Sequence, residues 1–125
     1  RHYMYCDRGG CAQSSRDQPR AYGVGQEYAI DTRRPFTVST TFEEDHAGFS
    51  GFRTLLAQEG RQVMLNHEGC SKDYLRQLTG ALSDGMSLVF SYWGDSAQTM
   101  AWMDSPPCGP QACQGGEGGA AIVSQ

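Results

Sequence analysis

The chain has 125 residues, of which 38% are hydrophobic, and a formal net charge of −4. This length and apolar content support one modest core, so we expect a single domain over residues 1–125. The acidic balance, without a long basic run, argues against a nucleic-acid partner, and no apolar run approaches the roughly 18–20 residues that span a membrane. The chain does not begin with Met, and Arg1–Cys6 looks like a structured segment, so we expect a processed or incomplete chain.

Five cysteines in a chain of this length favour a secreted protein that folds in an oxidising compartment. They stand at Cys6, Cys11, Cys70, Cys108 and Cys113. Neither close pair has the two-residue spacing of a zinc site and the histidines are scattered, so we expect no metal and no cofactor. An odd number means that at least one thiol is free or pairs outside this chain, and we favour a partner outside it.

The sixteen glycines indicate many turns and an all-β protein. Residues 1–26 are rich in loop formers, and the first clear strand is Phe36–Phe42, which alternates and contains many β-formers. The alternation predicts an inner face made of Phe36, Val38, Thr40 and Phe42. The segments Gly51–Ala57 and Gln62–Asn66 then predict a hairpin around the turn pair Glu59-Gly60.

The C-terminal half contains one predicted helix and three predicted strands. The helix, Ser71–Ser83, can be capped by its first residue and ended by Gly85. Its apolar stripe consists of Tyr74, Leu75, Leu78, Ala81 and Leu82. Met86–Trp93 is apolar on both faces, which predicts a strand in the middle of a sheet, with Thr99–Met103 as its hairpin partner. Ala120–Ser124 is a last short strand, and together the elements predict an antiparallel β-sandwich with one short surface helix.

The densest group of titratable side chains is Glu43–His46. Two carboxylates can hydrolyse a glycoside with retention when they stand roughly 5–5.5 Å apart across the bound sugar. This group follows the predicted end of a strand and precedes Gly48, so we interpret it as a solvated turn.

The segment Gly85–Ser105 contains both tryptophans, Trp93 and Trp102. Large flat rings stack on the apolar faces of sugars in carbohydrate sites, while polar neighbours bind the hydroxyl groups. The alternative is that both rings fill the core, since tryptophan is usually mostly buried. The two rings by themselves favour core positions, so the choice between a sugar site and the core depends on other parts of the sequence.

Several local sequences resemble, in order, those of family 7 glycoside hydrolases, the fungal-type cellobiohydrolases and endo-β-1,4-glucanases. They are YCDRGGC at Tyr5–Cys11, YGVG at Tyr22–Gly25, DTRRPFTVSTTF at Asp31–Phe42, GMSLVFSYW at Gly85–Trp93, MAWMD at Met100–Asp104 and CQGGEG at Cys113–Gly118. The last of these is similar to the endoglucanase branch. The matches cover nearly the whole chain, which resembles roughly the second half of such a domain.

This resemblance implies a partial concanavalin-like jelly-roll β-sandwich whose concave sheet forms a cleft for β-1,4-glucan. It implies that Trp93 stacks on a sugar on the glycone side of the cleft and Trp102 on the aglycone side. Arg1 falls where the family has a cleft arginine, and Asp95 is a further candidate for contacts to sugar hydroxyls. The short segments after Phe42 and before Cys70 imply an open, endoglucanase-like cleft.

The resemblance also implies roles for the cysteines. Cys11 and Cys70 match a disulfide of the family. Cys6 and Cys113 match cysteines whose partners lie in the other half of the family's chain, which accounts for the odd number, and Cys108 is left over.

The catalytic signature of the family, Glu-x-Asp-x-x-Glu on one strand, has no match in this chain, which therefore has no predicted catalytic residue. Glu43–Gly48 supplies the first two positions and then a glycine, at a different place in the family order. We therefore predict the cleft-forming part of a secreted, retaining endo-β-1,4-glucanase, whose carboxylates belong to a second chain or to a missing N-terminal half. Two alternatives stay open: a non-catalytic β-glucan-binding or extracellular structural protein on the same sandwich, and a small sandwich with two core tryptophans and no sugar site.

Overall fold

The structure is a computed structural model that describes residues 11–67, 69–91 and 122–124. The chain divides into two compact units, Arg1–Met86 and Ser87–Gln125. The described part of the first unit is mostly strands with two short helices, consistent with the predicted all-β class. Its elements are a 3₁₀ helix (Ser15–Asp17), β1 (Tyr22–Gly23), β2 (Ile30–Asp31), β3 (Thr37–Asp45), β4 (Gly48–Gln58), β5 (Arg61–Asn66), α1 (Lys72–Gln77) and α2 (Thr79–Asp84).

The centre of this unit is a three-stranded antiparallel sheet in the order β3–β4–β5. All three strands were predicted and are confirmed, although β3 continues to Asp45 and β4 begins already at Gly48. Their many β-branched and aromatic residues favour extended backbone, because such side chains pack well on a pleated surface. The short strands β1 and β2 form a separate two-residue parallel pair.

The predicted turn at Glu59-Gly60 is confirmed and joins β4 directly to β5. Both residues have positive φ angles, 47° for Glu59 and 80° for Gly60. A two-residue loop with two left-handed residues is a type I′ turn, whose twist matches that of the strands that it connects. The exposed Glu59 carboxylate is also paired with the Arg34 guanidinium, which links the turn to the loop before β3.

A β-bulge in β4 determines which aromatic rings share a face of the sheet. Ser50 has no partner on β3, because the register of the two strands shifts by one residue at this point. One extra residue reverses the alternation of side chains along a strand. Phe49 therefore lies with Phe42 and Phe52, at ring-centroid distances of 6.0 Å and 6.3 Å.

The hydrophobic core lies on this same face of the sheet. It combines two side chains from the segment before the sheet with one from β4 and one from β5: Ala21, Ile30, Leu56 and Val63. The Tyr22 ring contacts the edge of the half-buried Phe36 ring at 5.6 Å. Helix α1 packs against β4 and buries Leu75. The core is therefore built over β4 and β5.

The prediction that Phe36, Val38, Thr40 and Phe42 form an inner face is wrong for the last three residues. Phe36 packs against the core, but all nine residues of β3 are exposed, Val38 by 52% and Phe42 by 61%. The alternation itself is present, since Val38 pairs across the sheet with the buried Leu56. The side chains are exposed because the covering loop and helices pack against β4 and β5.

The predicted single helix Ser71–Ser83 consists of two short helices that meet at Leu78. Both predicted ends are confirmed, since the Ser71 hydroxyl accepts a hydrogen bond from the Tyr74 N–H and Gly85 ends α2 with a φ of 96°. The Thr79 hydroxyl donates to the Arg76 carbonyl at 2.7 Å, and a hydroxyl that binds the backbone in this way competes with the helical pattern.

The described residues of the second unit, 87–91 and 122–124, have no regular secondary structure. The predicted strands Met86–Trp93 and Ala120–Ser124 are therefore wrong where they fall on described residues. Leu88, Val89 and Phe90 are exposed instead of buried in the middle of a sheet. A strand requires hydrogen bonds from a neighbour, and the predicted neighbour, Thr99–Met103, lies outside the described residues. The jelly-roll sandwich remains a prediction.

Gly60→Ala tests the turn. An alanine at a φ of 80° is strained by about 1 kcal/mol, because its Cβ clashes with its own backbone, whereas the space around Gly60 is open. We expect a lower free energy of unfolding by this amount in urea titrations. The matched control is Gly51→Ala in β4, where the nearest atom to an added Cβ is 3.6 Å away and φ is not positive. Equal losses in both variants would contradict a left-handed turn at Gly60.

Candidate functional site

The residues that the sequence assigns to a sugar-binding cleft lie outside the described residues. This applies to Trp93, Trp102, Arg1 and Asp95, and equally to the cysteines Cys6, Cys108 and Cys113. Their roles therefore stay predictions. The described residues contain three arrangements of polar or reactive side chains: the acidic end of the β3–β4 hairpin, a buried carboxylate, and a disulfide with a neighbouring histidine.

The acidic residues Glu43–Asp45 belong to the end of β3, so the prediction that the whole group follows the strand is wrong; the turn itself is formed by His46 and Ala47. The Asp45 carboxylate accepts a hydrogen bond from the Ala47 N–H at 2.8 Å, which closes the turn. This bond, more than the nearby Arg76 and His46, lowers the pKa of Asp45.

Each of two carboxylates in this group is paired with an arginine. The exposed Glu43 lies 3.3 Å from the Arg53 guanidinium of β4, and Asp45 lies 3.6 Å from that of Arg76 in α1. A general acid requires a carboxyl group whose pKa is raised, whereas the pKa of Asp45 is lowered. The arrangement therefore supports an ion-paired surface turn rather than a hydrolytic pair.

The second arrangement is the buried carboxylate of Asp31, only 1% of which is exposed. Its Oδ1 atom accepts hydrogen bonds from the N–H groups of Gly25 at 3.0 Å and Arg33 at 3.2 Å. The Arg33 guanidinium adds two further bonds, 3.0 Å to Oδ1 and 2.9 Å to Oδ2. These bonds, that of the guanidinium first, hold the pKa of Asp31 far below its usual range.

Gln58 joins this carboxylate-bearing loop to the sheet. Its side-chain oxygen accepts from the Asp31 N–H at 2.8 Å. Its amide nitrogen lies within hydrogen-bond distance of the carbonyl oxygens of Asp31 (3.0 Å), Arg34 (3.2 Å) and Pro35 (3.1 Å). Gln58 and Asp31 are both buried, so the bond to the Asp31 N–H satisfies a backbone group that water cannot reach.

Sequence reasoning missed this network. In the sequence, Asp31 stands out only as the first residue of a matched string, and Gln58 is not singled out at all. A polar side chain at the end of a strand is normally exposed, so the sequence carries no signal that Gln58 is buried. The structure shows that the loop is constrained at Gly25, which is buried and has a φ of 130°.

The structure contains a disulfide between Cys11 and Cys70, the pair that the resemblance implies. Their Cα atoms are 4.9 Å apart across 59 residues of sequence. In the chain-entropy account, closing a loop of this length removes about 4 kcal/mol of freedom from the unfolded chain. The bond therefore fixes the beginning of the described chain to the segment that leads from β5 into α1.

His67 lies beside this disulfide and is not part of a metal or catalytic cluster. Its imidazole stacks on the Phe52 ring at a centroid distance of 4.1 Å, and partial burial lowers its pKa. Its Nδ1 atom is buried and has no hydrogen-bond partner among the described residues. Across residues 11–67, 69–91 and 122–124, no three histidine, cysteine or acidic side chains are grouped so as to hold a metal ion.

The helices in the described part of the chain are all too short, or too polar, to cross a bilayer.

Curated proteins of known name resemble this chain over most of its length. It is 31% identical to endoglucanase EG-1 of Trichoderma longibrachiatum in an alignment 129 positions long, gaps included, that covers 90% of this chain and 27% of that protein. It is 28% identical to endoglucanase 1 of Humicola insolens in an alignment of 146 positions that covers 96% of this chain and 36% of that protein. It is 29% identical to the endo-beta-1,4-glucanase celB of Emericella nidulans in an alignment of 144 positions that covers 96% of this chain and 33% of that protein.

These similarities support a relation to glycoside hydrolases of the endoglucanase type. The chain spans about a third of the length of the curated relatives that it matches. No protein-family model matches the chain. No solved structure matches it either.

Gln58→Ala tests the contact between the loop and the sheet. The change leaves the buried Asp31 N–H without its acceptor and removes the side-chain donor near the carbonyl groups of Asp31, Arg34 and Pro35, so we expect the free energy of unfolding to fall by about 3 kcal/mol. Chemical denaturation followed by far-ultraviolet circular dichroism measures this free energy. Gln62→Ala, an exposed position on β5, is the control and should change stability by less than about 0.5 kcal/mol. Equal stability of both variants would contradict the network.

Asp31→Asn tests the pH dependence that the buried carboxylate produces. Because the folded protein lowers the pKa of Asp31, its stabilising effect is complete above the unfolded value of about 3.9 and is lost as the pH falls towards the folded value. The native chain should therefore lose stability below about pH 4 more steeply than the variant, measured as urea midpoints from pH 2 to pH 6. Asp73→Asn, which removes an exposed carboxylate from α1, should keep the native slope. An unchanged slope in Asp31→Asn would refute this assignment.

Proposed function

We propose that this chain is the cleft-forming part of a secreted endo-β-1,4-glucanase-like hydrolase of glycoside hydrolase family 7, folded as part of a jelly-roll β-sandwich. The observation that carries the proposal is the similarity to proteins named endoglucanase over 90% or more of the chain. The ordered local matches, from Tyr5–Cys11 to Cys113–Gly118, support the finer assignment to family 7.

In this proposal the substrate is a β-1,4-glucan, and Trp93 and Trp102 are its stacking platforms. Arg1 and Asp95 contact sugar hydroxyls beside them. A pyranose ring is apolar on its faces and polar at its rim, so two separated indole rings with polar neighbours match both parts.

The proposed reaction is retaining hydrolysis of the glycosidic bond through a glycosyl-enzyme intermediate. It needs a nucleophilic carboxylate and a general acid on opposite sides of the sugar, and we assign both to the part of the domain outside this chain. The ion pairs of Glu43 and Asp45 support this, because paired carboxylates at an exposed turn suit neither role. The chain by itself should therefore not hydrolyse glucan.

The cysteines belong to the same proposal. The disulfide of Cys11 with Cys70 is compatible with a protein of an oxidising, extracellular compartment. We propose that Cys6 and Cys113 form disulfides with the remainder of the domain, whether that is a second chain or a further part of the same one. No metal ion, nucleic acid or membrane is required.

A second candidate is a non-catalytic β-glucan-binding or extracellular structural protein on the same sandwich. The observation that favours it is the sequence itself, in which Glu-x-Asp-x-x-Glu does not occur. Binding without hydrolysis by a native particle of about 13.7 kDa would select it. A partner joined through Cys6 or Cys113, found as a mass that falls on reduction, would select the enzyme.

Titration calorimetry of the chain with cellopentaose tests the sugar site. We expect Trp93→Ala and Trp102→Ala each to weaken binding by about tenfold through the lost stacking, with circular dichroism unchanged. The control is Phe42→Ala, which removes an exposed ring that we do not assign to the cleft.

Two outcomes would contradict this assignment. Loss of folding rather than of binding in both tryptophan variants would mean that the rings are core residues. Release of reducing sugar from soluble cellulose by the chain alone, undiminished in Glu43→Gln, would mean that it contains carboxylates that we have not identified.

A further inference from the structure

The end of helix α2 carries a pair of residues that can react with each other. Asp84 is the last residue of the helix, and Gly85 follows it directly. No other aspartate in the sequence precedes a glycine, and the asparagine of the chain, Asn66, precedes a histidine. An aspartyl side chain reacts most readily with the backbone when a glycine follows, because glycine has no side chain to shield its nitrogen. Both residues of the pair are exposed.

The reaction is an isomerisation of the backbone in two steps. The Gly85 nitrogen attacks the carboxyl carbon of Asp84, a C–N bond forms, and the acid hydroxyl leaves with the amide proton as water. The cyclic imide then takes up water at either of its two carbonyl groups. Opening at the main-chain carbonyl leaves an isoaspartyl linkage, in which the side chain of residue 84 continues the backbone. Water is lost and regained, and no oxidant or reductant takes part.

The helix end that holds this pair is weakly fixed. Helix α2 is only six residues long, and its last turn contains no basic residue, so the charge of Asp84 is unfavourable at the negative end of the helix. The Gly85 N–H donates to the Leu82 carbonyl at 3.1 Å, a bond that spans three residues instead of four. The ends of short helices open readily, and opening releases the Gly85 nitrogen for attack.

The surroundings of the pair leave room for the cyclic imide. A Cβ atom added at Gly85 would meet nothing within 4 Å, and the φ of 96° already takes this residue out of the helix. Two other aspartates are held differently. The Asp31 carboxylate is buried and bound by Gly25 and Arg33, and that of Asp45 accepts from the Ala47 N–H. Their carboxyl groups would have to leave these donors before a ring could close.

We propose that Asp84–Gly85 is a site of spontaneous covalent modification, at which the chain forms a cyclic imide and then an isoaspartyl linkage. The inference is independent of the proposed function. The modified linkage lies between α2 and Met86, where the first compact unit ends. It adds one methylene group to the backbone there. A carboxylic acid loses its hydroxyl as water more easily than a carboxylate does, so ring closure should be faster at mildly acidic pH.

The test follows the full chain at 37 °C, at pH 5 and at pH 8. Isoaspartyl groups are labelled with a purified isoaspartyl methyltransferase and radioactive S-adenosylmethionine, and electron-transfer fragmentation of a proteolytic peptide locates the altered linkage. We expect residue 84 to be modified at least about tenfold faster than Asp31, Asp45 or Asp73, and faster at pH 5 than at pH 8.

Two substitutions at residue 84 test the chemistry. Asp84→Glu keeps the charge but requires a larger ring, so it should abolish the label at this position. Asp84→Asn loses ammonia instead of water and should reverse the pH dependence, with conversion of the amide to the acid faster at pH 8. The matched control is Asp73→Glu in α1, where an exposed aspartate precedes Tyr74, and it should leave the label at residue 84 unchanged.

Ser83→Arg tests the contribution of the helix end. It places a basic residue in the last turn of α2 at an exposed position, which should stabilise that end and slow the modification by about threefold. The same substitution should have no effect on the chain unfolded in urea.

Three results would overturn the proposal. The first is modification at residue 84 no faster than at Asp31, Asp45 and Asp73, and the second is label that persists there in Asp84→Glu. The third is an equal rate in folded Ser83→Arg and the folded native chain, which would mean that the helix end does not control the reaction.

Discussion

The contact between Gln58 and Asp31 is the constraint on which the rest of the described structure depends. Gln58 acts like the edge of a further strand, since its side chain both accepts from and lies within donating distance of the Asp31 backbone. Asp31 meanwhile uses its carboxylate to close the loop through Gly25 and Arg33. Asp31 thus orders the loop, and Gln58 attaches the loop to β4. With the loop in place, Ile30 reaches the sheet and completes the core.

The result is a core that covers one side of a small sheet incompletely. Six apolar side chains are buried among the described residues, and three of them lie on β4 and β5. The loop closes the region above β4 and β5, and the Cys11–Cys70 disulfide joins the segment before the 3₁₀ helix to the segment between β5 and α1. Within residues 11–67, 69–91 and 122–124, no strand pairs with the outer edge of β3, whose apolar side chains Val38 and Phe42 are exposed.

The charged groups of the scaffold are arranged for stability rather than for chemistry. Glu43 and Asp45 face arginines, Asp31 is held as a carboxylate by four donors, and the unpartnered His67 nitrogen is enclosed beside an aromatic ring. The pKa values of Asp31 and Asp45 are lowered by the groups that contact them, so neither carboxyl group is suited to act as a general acid near neutral pH. This agrees with the proposal that the carboxylates of the reaction lie outside this chain.

Local patterns in the sequence were sufficient for the strands Phe36–Phe42, Gly51–Ala57 and Gln62–Asn66, for the Glu59-Gly60 turn and for the ends of the helical segment. Each of these depends on neighbouring residues only: alternation, β-branching, a left-handed glycine or a capping hydroxyl. The ordered matches likewise led to the endoglucanase relation and to the cysteine pair, because they compare strings of residues and need no coordinates. The cleft residues were also named from strings, and their placement stays a prediction.

Tertiary structure alone decided which of these elements would be covered. The alternation of β3 predicts two faces but cannot say that its apolar face stays open, since that depends on where the loop and helices pack. The burial of Gln58 and the bulge that turns Phe49 to the core have the same origin. Each is set by hydrogen bonds or contacts between residues far apart in the chain, such as the 27 residues that separate Asp31 from Gln58. The sequence by itself determined the local conformations and the ancestry of the chain, whereas burial and exposure were decided by long-range contacts that no local pattern encodes.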